Sequence, residues 1–165
     1  MSDQSVSRRG SRKQMGVFRR IETITPLLVF PLIAYVIMAV LSRGDHLGDA
    51  PAITGTLNTI LFSVPMVSGV SWRMSIGDTL LVVSLVLLSI EIMKSTSSRS
   101  SAMVNHMASM GVLLASIICF ILFANFATAT FFLFTIMTLM DVMVGVVVSI
   151  VSARRDFGVG DGFGS

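Results

Sequence analysis

The long apolar run Thr128–Ser152 constrains the fold of this chain more than any other stretch. At about 1.5 Å per residue, a helix of this length crosses a hydrocarbon core of roughly 30 Å. Its only carboxylate, Asp141, lies near the middle of the run. A carboxylate there costs about 2.5–3.5 kcal/mol on insertion, whereas each Leu, Ile, Phe or Val returns about 0.3–0.6 kcal/mol. The apolar residues outweigh the single Asp, and the run is predicted to be a transmembrane helix.

The composition agrees with a membrane protein. The chain has 165 residues, of which 53% are hydrophobic and 13% charged, and its mean hydropathy is +0.85. A typical soluble domain is less apolar and carries more charge. A pI near 9.8 would also fit nucleic-acid binding. The basic residues flank apolar segments, however, and we expect no nucleic-acid partner. The lone cysteine, Cys119, allows no internal disulfide.

Four apolar segments predict an all-α integral membrane protein with four transmembrane helices in an antiparallel bundle, occupying residues 21–155. The predicted spans are residues 24–41, 76–94, 102–123 and 128–152. The short polar stretch Lys94–Ser101 joins the second and third spans and predicts a helical hairpin. At the start of the second span, Ser75 and Asp78 have the S-x-x-D spacing of a capping box.

Residues 42–75, between the first and second spans, can be interpreted in two ways. Ile53–Val64 has apolar residues at helical spacing, which suits either a fifth crossing or an amphipathic helix, interfacial or re-entrant. The charge distribution favours the amphipathic helix. With four crossings, all of the 12 Lys and Arg residues except Arg43 and Arg73 lie on the cytoplasmic side, as the positive-inside rule requires. Trp72 is then expected to anchor this loop at the outer membrane interface.

Both ends of the chain are polar. Residues 1–20 form a basic arm that we expect to be disordered and cytoplasmic and to contact anionic lipid headgroups of the bilayer. Its basic residues are Arg8, Arg9, Arg12, Lys13, Arg19 and Arg20. Residues 156–165 are rich in glycine and predict a flexible cytoplasmic tail. The sequence thus predicts a multi-pass protein of a cell membrane, of the bacterial inner-membrane type, with both termini in the cytoplasm.

Asp141 is the main candidate functional residue. Counted inward from the predicted cytoplasmic helix ends, Tyr35, Ser84 and Ser116 lie at the same depth as Asp141. Their hydroxyl groups can donate hydrogen bonds to a carboxylate, and we expect these four residues to form an intramembrane polar layer. Three interpretations remain open. Asp141 is buried and satisfied by these hydroxyls, it is a proton-coupling or ion site, or it pairs with a residue of another subunit.

A second polar group is predicted nearer the cytoplasmic ends of the helices. Glu91 and His106 lie at similar depth on the two arms of the helical hairpin, and Lys94 follows Glu91 by about one turn. We interpret these residues as a clasp that ties the hairpin together. The alternative is a histidine that senses pH or relays protons.

Small residues recur at four-residue steps along the last two spans, a pattern that lets membrane helices approach closely. The predicted helix-packing positions are Gly111, Ala115, Gly145 and Ser149. The pattern fits packing within the chain and packing against another chain equally well.

The sequence contains no zinc-ligand spacing and no nucleophile–base pair, and we predict no enzyme activity, no cofactor and no metal site. Two functions fit the remaining features. The first is a non-catalytic accessory, assembly or scaffold subunit that binds other membrane subunits or itself. The second is a small proton- or ion-coupled transporter or channel that uses Asp141. Whether Asp141 faces a polar cavity, a dry core or the lipid distinguishes the two.

Overall fold

Three long helices form most of the structure. The computed structural model describes residues 25–42, 51–95 and 102–157, with side chains in the last range described from 105 to 151. In chain order, the elements are α1 (Val29–Leu41), α2 (Thr54–Leu57), β1 (Ile60–Pro65), β2 (Ser71–Ser75), α3 (Ile76–Ser95), α4 (Ala102–Leu122), a 3-10 turn (Ala124–Phe126) and α5 (Ala129–Phe157). Spans within α3, α4 and α5 are long and apolar enough to cross a membrane, which agrees with the predicted helical multi-pass membrane protein.

The first predicted span is shorter than expected. Helix α1 contains 13 residues and is about 20 Å long, less than a hydrocarbon core of roughly 30 Å. A fourth crossing is therefore not confirmed among the described residues. Two tight turns precede α1, in which Val29 and Phe30 donate their N–H groups to carbonyls three residues earlier. Pro31 then falls in the first helical turn, where N–H groups lack intrahelical partners and proline is tolerated.

Helix α5 lies at the centre of the bundle. It packs against both α3 and α4, and α1 contacts α3 and α4 from the side. The buried residues of α1 are Pro31, Tyr35 and Ala39, whose four-residue spacing turns one stripe of the helix toward the bundle. The ring centroid of Tyr35 lies 4.7 Å from that of Phe131 and 5.3 Å from that of Phe126. This aromatic cluster joins α1 to the α4–α5 turn and to the start of α5.

The prediction of an amphipathic helix over Ile53–Val64 is wrong. Only Thr54–Leu57 is helical, and the chain from Ile60 onward forms β1, which pairs antiparallel with β2. Phe62 and Val64 alternate with polar or imino residues, and aromatic and β-branched side chains at alternating positions favour a strand over a helix. The described fold is therefore mostly helical, consistent with the predicted all-α membrane protein, with one added β-hairpin.

The β-hairpin (residues 60–75) is amphipathic. The cross-strand pair Val64–Trp72 lies on one face, where the rings of Phe62 and Trp72 meet edge to face with centroids 6.4 Å apart. Ser63 pairs with Arg73 on the opposite face. The second part of the stretch that was predicted to be an amphipathic helix thus forms the first strand of an amphipathic β-hairpin.

Short helix α2 connects the β-hairpin to the bundle. Ile53 and Leu57 are 0% and 3% exposed, and their four-residue spacing places both on the buried side of α2. Gly77, at the start of α3, is closely approached by Leu57 and by Thr130 of α5. We refer to this end of the bundle as the hairpin end and to the opposite end as the Lys94 end.

An apolar groove of about 340 Å³ runs along the outside of the bundle between α1 and α3. Leu61 of the β-hairpin contributes to its wall at the hairpin end. The groove is lined almost wholly by apolar side chains, a surface suited to lipid acyl chains in a bilayer. The lining residues are Phe30, Pro31, Ala34, Met38, Leu61, Ile76, Thr79, Leu80, Val83 and Leu87.

The predicted capping box at the start of α3 is confirmed. The Ser75 hydroxyl donates to Asp78 Oδ2 at 2.7 Å, and the Ser75 N–H donates to the same oxygen at 3.1 Å. In return, the Asp78 N–H donates to Ser75 Oγ at 3.1 Å. These bonds satisfy backbone donors that a helix start leaves without partners.

We expect Ser75→Ala to lower the free energy of unfolding by about 0.5–2 kcal/mol, because the α3 start loses its cap. The measurement is reversible unfolding of the purified protein in mixed micelles, followed by circular dichroism. Ser71→Ala, in the same strand and also solvent-accessible, is the matched control. Equal stability of the two variants would contradict a capping role for Ser75.

Candidate functional site

Polar side chains follow the buried faces of α3, α4 and α5. Those nearest the Lys94 end form what we call the polar cluster, made of Glu91, Asn105, His106, Ser109 and Asp141. The buried polar side chains among the described residues are Ser84, Glu91, Asn105, Ser109, Ser116, Thr135, Thr138 and Asp141.

Glu91 links three segments of the chain. Its side chain is 0% exposed. The Leu27 N–H, just before α1, donates to Glu91 Oε2, and Asn105 Nδ2 of α4 donates to Oε1 at 2.8 Å. A buried carboxylate needs such donors because a bilayer interior provides none. Glu91 therefore holds the start of α1 and the first turns of α4 against α3.

Asp141 joins α5 to this network. Its side chain is 7% exposed, and it shares a hydrogen bond with the side chain of Ser109 on α4. His106 and Lys94 lie close enough to interact with its charge. Asp141 also interacts electrostatically with Glu91. Two carboxylates, a histidine and a lysine thus share one region of low dielectric at the Lys94 end.

A small polar cavity lies beside Asp141. Its volume is about 10 Å³, which is the space that one water molecule needs. Asn105 Oδ1 and His106 Nδ1, both buried, have no hydrogen-bond partner among the described residues. The residues lining the cavity are Ser95, Asn105, His106, Ser109, Asp141, Gly145, Val148 and Ser149. Asp141 therefore lines a small polar cavity.

Gly145 allows His106 to reach the cavity wall. A Cβ at position 145 would clash with His106 Nδ1, and the ring would have to move. The four-residue step from Asp141 to Gly145 places both on the side of α5 that faces α4. The absence of a side chain here is what brings the imidazole ring next to α5.

The four residues predicted to form one polar layer do not lie together. The Ser84 and Ser116 hydroxyls donate within their own helices, to Leu80 and Val112 carbonyls at 2.7 and 2.8 Å. The Tyr35 hydroxyl lies 2.6 Å from Thr128 Oγ1 and 3.1 Å from the Asn125 carbonyl, at the turn between α4 and α5. Asp141 is surrounded instead by the polar cluster. The depth count was wrong because Asp141 lies level with Ser109, seven residues from the start of α4, and not with Ser116.

The three residues predicted as a clasp all lie at the Lys94 end, with partners that differ from the predicted ones. Glu91 bonds Asn105, the neighbour of His106, and His106 lies against Gly145. Lys94 donates to the Thr25 carbonyl at 3.4 Å. Asn105 and Ser109, which sequence reasoning missed, carry the direct contacts of the two carboxylates.

The predicted helix-packing positions differ in how closely they are packed. Gly145 is closely packed, whereas Gly111 is exposed and a Cβ there would meet nothing within 4 Å. Ser149 lines the cavity and donates to the Gly145 carbonyl at 2.9 Å, and Ala115 is half-buried. The six predicted lipid-binding basic residues of the arm, together with the tail beyond Phe157, lie outside the described residues.

Among the side chains that the structure describes, no group of three or more His, Cys, Asp or Glu residues is placed to hold a metal ion. Comparisons of the chain with protein-family models, with curated proteins and with solved structures find no match. Function must therefore be argued from the β-hairpin and the polar cluster themselves.

Proposed function

We propose that this protein is a non-catalytic multi-pass membrane protein that acts as an accessory, assembly or scaffold subunit. It would do so by binding a second membrane-protein chain, either another protein or a second copy of itself. The observation that supports this most strongly is the β-hairpin. This element carries exposed apolar side chains on one face and has two strand edges without a partner strand among the described residues.

Exposing the apolar face of the β-hairpin to water is unfavourable in free energy. Phe62, Val64 and Trp72 are 47%, 39% and 52% exposed and lie together on one face. Burying a side chain of this kind completely is worth about 1.5–3 kcal/mol. A contiguous apolar face on an element that projects from a bundle is typical of an interaction surface.

The strand edges distinguish a protein partner from lipid. β1 and β2 form a two-stranded sheet, so each has one edge without a partner strand among the described residues. Lipid chains cannot satisfy the N–H and C=O groups of such an edge. A strand from another chain satisfies them by extending the sheet while its side chains cover the apolar face. An isolated two-stranded hairpin is also only marginally stable, which adds to the benefit of a partner.

The second candidate function is a proton- or ion-coupled transporter or channel centred on Asp141. The polar cavity next to Asp141 favours it, because an intramembrane carboxylate facing a cavity is a common feature of such proteins. A volume of about 10 Å³ holds one water-sized species and is too small for a hydrated ion or an organic solute. The cavity therefore supports binding better than it supports permeation.

The charge pattern supports a proposal for the membrane and the orientation of the protein in it. We propose that the Lys94 end faces the cytoplasm of a bacterial inner membrane, with both termini inside and α1 as a fourth, shortened crossing. The basic residues of the N-terminal arm, and Arg154 and Arg155 at the C-terminal part of α5, support this orientation. In this orientation the β-hairpin lies at the outer surface of the membrane, and Trp72 lies at the membrane interface. The partner would then be an extracytoplasmic or membrane-embedded protein.

We expect Val64→Lys to dissociate the complex, because it puts a charge in the centre of the apolar hairpin face. Ser63→Lys is the matched control, since it adds the same charge in the same strand on the opposite face. The measurement is native electrophoresis after mild detergent extraction, with mass spectrometry of the co-migrating chains. Wild type and Ser63→Lys should migrate in one larger species, and Val64→Lys should migrate alone.

Two results would overturn the proposal. One is migration of the wild-type protein as a monomer without partners. The other is strong quenching of Trp72 fluorescence by brominated lipids in the intact complex, which would show that lipid covers this face. Trp72 is the only tryptophan of the chain, so the signal reports on the β-hairpin alone.

A further inference from the structure

We propose that the cavity beside Asp141 binds one small monovalent cation, a sodium ion, with Asp141 as its charged ligand. The proposal is independent of the scaffold function and holds whether or not a partner occupies the β-hairpin. It gives the second candidate function a ligand without requiring transport.

The size of the cavity limits the ligand. A volume of about 10 Å³ accommodates one water, one hydronium ion or one dehydrated sodium ion. The donors around it are hard oxygen ligands: the Asp141 carboxylate, the Asn105 amide oxygen and the hydroxyls of Ser95, Ser109 and Ser149. Such ligands favour hard cations over the soft metals that thiolates and thioethers bind.

The Asn105 amide provides an observation independent of the acidic residues. Asn105 is 7% exposed, and its Nδ2 group is fixed by the hydrogen bond to Glu91 at 2.8 Å. This bond leaves Oδ1 as a buried acceptor without a partner among the described residues, and Asn105 is one of the residues that line the cavity. An unpaired buried acceptor is destabilising. A cation in the cavity would satisfy this oxygen and the Asp141 carboxylate together.

The charge balance favours a monovalent ligand. The groups facing Asp141 are Glu91 and Lys94 from α3 and His106 from α4. Among the described residues, one carboxylate lines the cavity itself, that of Asp141. Calcium sites usually take six to eight oxygen ligands, several of them carboxylates, and magnesium requires near-octahedral geometry. One carboxylate with neutral oxygens matches a single positive charge instead.

The test uses purified full-length protein in nanodiscs, with choline chloride holding the ionic strength constant. In the first arm, binding of radiolabelled sodium is measured, together with the midpoint of thermal unfolding as sodium or potassium is added. In the second arm, sodium-free protein is titrated with acid, and the infrared band of protonated carboxyl groups is followed. The two arms separate binding of a sodium ion from protonation of Asp141.

The variants are chosen in pairs. Ser109 and Ser116 are both buried on α4, but only Ser109 lines the cavity, so Ser116→Ala is the control for Ser109→Ala. We expect saturable sodium binding that weakens about tenfold for each unit of pH below the point where protons compete. Ser109→Ala should weaken binding, Ser116→Ala should not, and Asp141→Asn should abolish sodium binding and the titrating infrared band. Ser149→Ala serves as a second cavity variant if Asp141→Asn does not fold.

A titrating Asp141 band without sodium binding would mean that Asp141 takes up a proton as a neutral carboxylic acid, and the proposal of a bound cation would be wrong. Neither sodium binding nor a titrating band that Asp141→Asn removes would mean that the cavity holds a structural water only, and the proposal would be wrong. Equal behaviour of Ser109→Ala and Ser116→Ala would also overturn it, because the ligand would then bind elsewhere.

Discussion

Replacing Glu91 by alanine is expected to lower the free energy of unfolding by about 2–4 kcal/mol, because two buried donors lose their acceptor. The Leu27 N–H and Asn105 Nδ2 both donate to this carboxylate, whose side chain is 0% exposed. Alanine would also release the start of α1 from α3. The measurement is reversible unfolding in mixed micelles, with limited proteolysis near Thr25 as a local readout.

Two controls make this expectation specific. Ser89→Ala changes an exposed position of the same helix, whose hydroxyl bonds only the Leu85 carbonyl, and should leave stability nearly unchanged. Glu91→Gln keeps one acceptor oxygen and should lose less stability than alanine. If Glu91→Ala were as stable as Ser89→Ala, the carboxylate could not be what joins α1 and α4 to α3.

Tyr35→Ala is expected to have a larger effect, about 3–5 kcal/mol, as found for large aromatic side chains removed from cores. The Tyr35 ring is 0% exposed and packs on Phe126 and Phe131, while its hydroxyl lies 2.6 Å from Thr128 Oγ1. Removing the ring opens a cavity between α1 and the α4–α5 turn. Thermal unfolding followed by circular dichroism measures the loss.

A graded series separates packing from hydrogen bonding at this position. Tyr35→Phe keeps the ring and should cost only about 0.5–1.5 kcal/mol, the net value of one hydrogen bond. Ile37→Ala, at a side chain of the same helix that is 52% exposed, should cost less than Tyr35→Ala. A cost for Tyr35→Phe as large as that for Tyr35→Ala would show that the hydroxyl, and not the ring, holds α1 in place.

The long helices were predictable because their apolar runs end at polar turns. α3 and α4 begin at Ile76 and Ala102, as the sequence indicates, and Ser75 with Asp78 caps α3 as its spacing predicts. The β-hairpin was not predictable from helical periodicity, since Ile53–Val64 matches both periods in part. The alternation of Phe62 and Val64 with Ser63 between them was the available signal for a strand.

The polar cluster could have been found only in part. Asp141 and Glu91 are recognisable as carboxylates in apolar runs, but their partners depend on how α3, α4 and α5 are aligned along the bundle axis. Ser109 and Ser116 lie seven residues apart on one face of α4, and sequence cannot tell which is level with Asp141. The alignment of α4 with α5 decides which serine is level with Asp141, and in the structure it is Ser109.

The shortness of α1 has a consequence for the surrounding bilayer. If α1 crosses the bilayer, as we propose, a helix of about 20 Å next to helices that match the full hydrocarbon thickness creates hydrophobic mismatch on one side of the molecule. Lipids there would shorten or tilt their chains, and the groove between α1 and α3 lies on the same side. Thinner membrane regions, or neighbouring proteins that relieve this deformation, would then be favoured next to α1.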